Sequence, residues 1–368
     1  MARTAKLIAL GALTALGVGL AGCSQAPDRT PAQAGPPPAG SVWVADEGAD
    51  SLSVIDTATN SVAMTLTGIT GPHNVQVGPD GTVVYATSSA GLVVAIDPAT
   101  YRVIASAPTG PHPAHVVEAP NGKVYVTNAG DGTVSVYQRN GLAPAGRITL
   151  GGMPHGLRPA AGGSVIVVAN MMDAELDLID PATDTSLGSV AVGASPLQVA
   201  VSADGRYAYT GISDPPSVVK VDLSQRKVIG TVAVPDSPVQ LYLSPDEKTV
   251  LCADQGSEQA PGHTLSVINT ATMTGRGTVP TGSGPHGVVI DASGRWAWVT
   301  NSFDNTVSVV DVTALSVTAT IPAGTGPNGI SFSTAPPAAA PATTASLTIA
   351  PPPASSSSAQ DPHSGHGH

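Results

Sequence analysis

One unit recurs along this chain, and its spacing limits what the chain can fold into more than any other feature. It is clearest at Gly284-Pro285-His286-Gly287-Val288-Val289-Ile290, followed by Trp296-Ala297-Trp298-Val299-Thr300-Asn301 and Thr306-Val307-Ser308-Val309-Val310-Asp311. Anchored on its proline, the unit begins at Pro72, Pro113, Pro154, Pro196, Pro238, Pro285 and Pro327, in steps of 41, 41, 42, 42, 47 and 42 residues. A second column, Asp56, Asp97, Gln138, Asp180, Asp222, Asn269 and Asp311, repeats the same steps, including the irregular one.

A fixed period of about 40–45 residues containing four short strands is the mark of a propeller blade. Each unit reads as strand A after the proline (Val75-Gln76-Val77), a Pro-Asp-Gly-like turn, strand B (Lys123 to Asn128), strand C (Thr133 to Tyr137) and strand D (Val317 to Pro322). The array starts on a strand B, Ser41 to Asp46, and stops on a strand A, Ile330 to Ser333. Joining the two ends makes one composite blade, so the expectation is an all-β, seven-bladed ring of four-stranded antiparallel blades. Closure also removes the free edge that an open array would expose. The 41 glycines and 34 prolines suit many tight turns.

Outside the array the composition changes. Residues 1–22 have a positive start, Arg3 and Lys6, and a short apolar run from Leu7 to Val18, as a secretory leader does. Residues 23–40 are a Pro/Ala-rich tether, residues 41–334 the propeller, and residues 335–368 an Ala/Pro/Ser-rich tail expected to be disordered. A formal net charge of −11 argues against nucleic acid as a partner, because phosphate binding needs a basic face.

Two resemblances follow from short motifs. Leu20-Ala21-Gly22-Cys23 resembles the lipobox of bacterial lipoproteins, which implies cleavage before Cys23, a lipid on its sulfur and an extracytoplasmic place on a bacterial membrane. Tyr125-Val126-Thr127-Asn128 and Trp298-Val299-Thr300-Asn301, with the Pro-x-Gly-Val opening at Pro285, resemble the YVTN-repeat β-propeller family. That resemblance covers residues 41–334 and implies a fold rather than a reaction, because related propellers include lactonases, a lyase and dehydrogenase subunits. It implies an envelope protein, read here as a monomer.

Antiparallel alternation puts the proline loops and the B-to-C loops on one face. Histidine is concentrated there: His73, His155 and His286 follow their prolines directly, and His115 sits one place later in its blade, out of nine histidines in the chain. Asn328 holds the same position in the last unit, and Asn128, Asn170 and Asn301 end their strands B on that face. One reading is turn chemistry, with each imidazole bonded to a neighbouring carbonyl. The other is a ligand-binding face, with His73, His155 and His286 holding zinc or copper. His363, His366 and His368 end the tail and offer a flexible chelate for the same metals.

Three further features complete the reading. The Asp column fits an Asx turn and is structural. Cys252, alone once Cys23 is lipidated, falls in a strand pattern and reads as a small buried hydrophobe. Glu118 breaks an apolar column, either pairing with Arg158 of the next blade or facing water. No Ser-His-Asp set, phosphate loop or CxxC pair specifies a reaction. The face therefore supports a ligand- or partner-binding scaffold first, and a metal- or histidine-dependent enzyme second.

Overall fold

The computed structural model describes residues 35–350, and the body it forms runs from Pro36 onward. The leader, Cys23 and the three tail histidines lie outside the described residues. Seven sheets form the blades of a ring, each running antiparallel from strand A at the centre to strand D at the rim.

The composite blade is present. Strand A, Pro327–Ser333, pairs with strand B, Ser41–Asp46, through Val42 opposite Phe332 and Val44 opposite Ile330. Blade 2 then begins at Val75–Val77, blade 3 at Pro113–Glu118, blade 4 at Pro154–Pro159, blade 5 at Val199–Val201, blade 6 at Pro238–Leu243 and blade 7 at Pro285–Ile290. Strands B and C are buried on both faces between neighbouring blades, which is why they read as near-continuous apolar runs such as Trp296–Asn301. Strands D face solvent on one side and alternate, as Ser316–Pro322 does.

The Asp column is structural, as its sequence suggests. Asp56, Asp97, Asp180 and Asn269 each accept through Oδ1 the backbone N–H two residues on, at 2.8–2.9 Å. A few residues later the C-to-D turn takes positive φ at Asn60, Tyr101, Asp184, Arg226, Met273 and Leu315. Cys252 is a free thiol, fully buried in strand B of blade 6.

The extent of the ordered chain differs from the reading at both ends. Residues 36–40 are docked, with Thr57 Oγ1 donating to Pro38 O at 2.6 Å. At the other end Thr344–Ser346 lies parallel to strand D of the composite blade, pairing with Thr65, Leu66 and Thr67. Leu347 is 5% exposed and packs in the core cluster that holds Leu66 and Ile69. The first part of the tail is therefore structured, contrary to the expectation from composition. A free strand edge supplies its backbone partners, and one leucine supplies its apolar anchor.

Candidate functional site

The mouth of the channel on the proline-loop face gathers four imidazoles. His73, His115 and His155 come from the first turns of blades 2, 3 and 4, and His286 comes from blade 7. Each strand A opens at the ring centre, so residues that follow equivalent prolines converge on one axis. Ring centroids lie 5.1 Å apart for His73 and His155, 4.9 Å for His115 and His155, 5.5 Å for His73 and His115, and 6.3 Å for His73 and His286.

His73 Nε2 and His155 Nε2 are 3.2 Å apart. The other nitrogen of each ring decides what those atoms can do. His155 Nδ1 lies 2.9 Å from Leu197 O, and a carbonyl only accepts, so the proton is on Nδ1 and Nε2 carries the lone pair. His73 Nδ1 lies 3.3 Å from Glu47 Oε2 and 3.1 Å from Asn328 Nδ2, an acceptor and a donor; with the proton on Nδ1, toward Glu47, Nε2 carries the lone pair. Two lone pairs facing at this distance repel unless a proton or a cation lies between them. Two nitrogens at 2.0–2.1 Å from one zinc ion at the tetrahedral angle are about 3.3 Å apart. The observed spacing matches that chord.

Nitrogens of His73, His115 and His155 all lie within 4.8 Å of one another. This set replaces the expected His73, His155 and His286, since His286 stands across the mouth and is not within the group. His115 is fully buried, and Gln198 sets its tautomer. Gln198 Oε1 accepts from Val199 N–H at 2.9 Å, so its Nε2 faces His115 Nδ1 at 3.2 Å and donates to it. The proton of His115 then sits on Nε2, which has no partner. Ligation through Nε2 requires that amide to turn over.

Burial keeps His115, His155 and His286 neutral. Burial drives the pKa of His155 and of His286 down to about 3, aided in both by the charge of His73. Burial also holds His115 well below the usual range, with His155 and His73 adding to the effect. At Glu47 burial pushes the pKa up, but the hydrogen bond and charge of His73 and the bond from Asn328 outweigh it, for a net lowering. Asn328 Nδ2 donates to Glu47 Oε2 at 2.6 Å and reaches His73 Nδ1 at 3.1 Å. The result is a carboxylate–histidine pair buttressed by an amide, the arrangement that orients metal-binding imidazoles.

Buried polar atoms without a partner on this face include His115 Nε2, His286 Nδ1 and Asn328 Oδ1. Each costs about 1–3 kcal/mol when left unsatisfied. A cavity of about 460 Å³ adjoins the last two, lined by Glu47, Gln255, Glu258, His286, Phe303 and Asn328 among others. Glu47 escaped the sequence reading, yet it lies in the first B-to-C loop, on the face already singled out.

The three strand-end asparagines do not belong to this site. Asn128 is fully buried, accepts from Gly110 N–H at 2.9 Å and donates to Thr133 and Ser135 hydroxyls at 2.9 Å. Asn170 accepts from Met153 N–H and donates to Asp177, and Asn301 accepts from Gly282 N–H and donates to Thr306 and Ser308. They pin each proline loop to strand C and have no capacity left for a ligand. Asp46 and Asp254 hold the same position in their blades and accept from the equivalent hydroxyls. The Glu118–Arg158 pair is also absent. Glu118 instead meets Arg139 at 3.2 Å and the Tyr85 hydroxyl at 2.9 Å, because the C-to-D turn of its own blade brings Arg139 beneath it.

Comparison with known proteins bears on the scaffold. Residues 186–337 match the YNCE-like beta-propeller family model. The chain is a seven-bladed β-propeller, and the YVTN-repeat resemblance is consistent with this match. Among solved structures, a protein of unknown function from Desulfotomaculum acetoxidans superposes with a TM-score of 0.70 at 14% identity, covering 81% of this chain and 99% of its own. The hydrazine synthase of Kuenenia stuttgartiensis gives 0.64 at 19% identity, covering 72% of this chain and 90% of its own. The dihydro-heme d1 dehydrogenase NirN gives 0.60 at 13% identity, covering 81% and 76%. At these identities the likeness is one of fold. No curated protein matches the sequence. In this propeller the histidine cluster therefore has to be read from its own geometry.

Proposed function

We propose that this propeller binds one transition-metal ion, zinc or copper, at the channel mouth through His73, His155 and His115. In this reading it presents the bound ion as a lipid-anchored envelope protein. The observation that carries the reading is the 3.2 Å separation of the His73 and His155 Nε2 atoms, each opposed by an acceptor at Nδ1. Three imidazoles leave one position of a tetrahedral ion open, and the cavity lined by Glu47 and Asn328, the residues that bond His73, has room for a small ligand or for a side chain of a partner. That opening also supports the second reading, an enzyme that activates water or substrate on the metal. The anchor rests on the Leu20 to Cys23 motif, with Cys252 buried and unavailable as a disulfide partner.

The test is titration of zinc and of copper into the mature chain with His363, His366 and His368 changed to alanine. One ion per chain is expected, and His73→Ala or His155→Ala weakens it at least tenfold, on the order of what ligand loss costs. Binding unaltered by either substitution would remove the site.

A further inference from the structure

The opposite mouth of the channel holds a cation, Arg158, that has no salt-bridge partner among the described residues. Arg158 lies three residues beyond His155 on strand A of blade 4, about 10 Å further down the channel. Of its five N–H donors, one is used on the protein, from Nη1 to Leu157 O at 3.2 Å. Among the described residues no carboxylate lies within salt-bridge distance of it; Arg102, Arg226 and Arg276 share that, whereas Arg139, Arg147, Arg206 and Arg295 each have one. The residue is half-buried, and burial pulls its pKa down against a smaller raising effect of Tyr242.

Arg158 forms one wall of a cavity of about 260 Å³ on this face, built from strands A and A-to-B turns of blades 4, 5 and 6. Pro159, Ala200, Leu241 and Leu243 make its sides apolar, and Tyr242 adds a phenol. The carboxylate on its rim, Glu247, already accepts the Ala203 N–H at 2.5 Å.

We propose that this cavity binds a small organic monocarboxylate, with its carboxylate on the Arg158 guanidinium and its hydrocarbon body against Ala200, Leu241 and Leu243. A guanidinium fork matches a planar carboxylate bidentately. A single positive charge balances a monoanion and leaves a phosphate dianion half neutralised. The apolar walls add burial worth about 25 cal/mol per Å² to a ligand with a carbon chain, and nothing to an inorganic ion. The site is separate from the histidines and does not depend on a metal there.

The experiment is calorimetric titration of hexanoate, 1-hexanol and inorganic phosphate into the full mature chain, with EDTA present so that the histidine site plays no part. Hexanoate is expected to bind at least about tenfold more tightly than either hexanol or phosphate. Arg158→Met should abolish the preference over hexanol, and Arg158→Lys should retain part of it. Melting curves check that the variants fold. If Arg158→Met does not fold, the hexanoate-to-hexanol ratio in the parent and in Arg158→Lys decides. Equal binding of hexanoate and hexanol, tighter binding of phosphate, no binding of hexanoate, or an Arg158→Met protein that keeps its preference would each overturn the proposal.

Discussion

His73 Nε2 and His155 Nε2 stand 3.2 Å apart at the channel mouth, although 82 residues separate them in the chain. Neither histidine is special in its own blade, where it simply follows a proline. Closure of the ring makes them neighbours, and the acceptors behind them turn both lone pairs to the same point.

Glu47 is the first of those acceptors to test. With the proton on His73 Nδ1, its carboxylate accepts that proton's hydrogen bond and raises the basicity of Nε2. Glu47→Gln should weaken zinc about tenfold or more while leaving the melting temperature of the metal-free protein nearly unchanged. Calorimetry paired with thermal melts measures both quantities. Equal zinc affinity in the variant would mean that Glu47 does not orient the ligand.

Gln198 gives a prediction of the opposite sign. Its amide donates to His115 Nδ1 and so places the proton on the atom that must ligate. A carboxylate there accepts from Nδ1–H instead and still accepts from Val199 N–H. Gln198→Glu should therefore tighten zinc binding at pH 7, and competition with a chelating dye measures it. Weaker binding in that variant would assign His115 a packing role.

Asp254 tests the strand-end clamp through pH. Burial raises its pKa from 3.8 to about 7, against lowering by the hydroxyls of Ser266 and Thr264. Between these values the folded state keeps a proton that the unfolded state has lost, so stability falls as pH rises from about 4 through 7. Asp254→Asn removes that slope, and its amide can donate to Thr264 and Ser266 as Asn301 donates to Thr306 and Ser308. The variant should melt higher than the parent at pH 8 and within a degree or so of it at pH 4. Parallel melting curves across that range would show a constant offset if Asp254 were not the titrating group.

The C-terminal strand is tested by Leu347→Ala. Leu347 is buried among Leu66, Ile69 and their neighbours, so its truncation should cost about 2–3 kcal/mol in chemical denaturation. Deleting Ile330 to Thr334 should be far worse, because it removes the innermost strand of the composite blade. A Leu347→Ala protein as stable as the parent would mean that the strand adds nothing to the fold.

The repeat made the ring legible, since two columns fix each blade and the two ends of the array supply complementary strands. The face of the site was legible for the same reason. What sequence could not supply was distance. Asn128, Asn170 and Asn301 are polar residues on the correct face, but the proline loops cover them and use every hydrogen-bonding atom they have. His115, displaced by Ala114, still reaches the cluster, on a strand start whose register shift between Pro113 and Val116 recurs in blades 4, 6 and 7. Glu118 found Arg139 rather than Arg158, because a C-to-D turn brought a nearer cation. Leu347 is a single apolar residue in a low-complexity stretch, and its value lies in a neighbouring strand edge.

The most direct measurement is the zinc-edge anomalous map of crystals grown with one equivalent of zinc, using protein without the tail histidines. The account predicts one peak about 2.0–2.1 Å from His73 Nε2 and from His155 Nε2, with His115 moved in as the third ligand. A peak elsewhere on the ring, or none at the channel mouth, would contradict it.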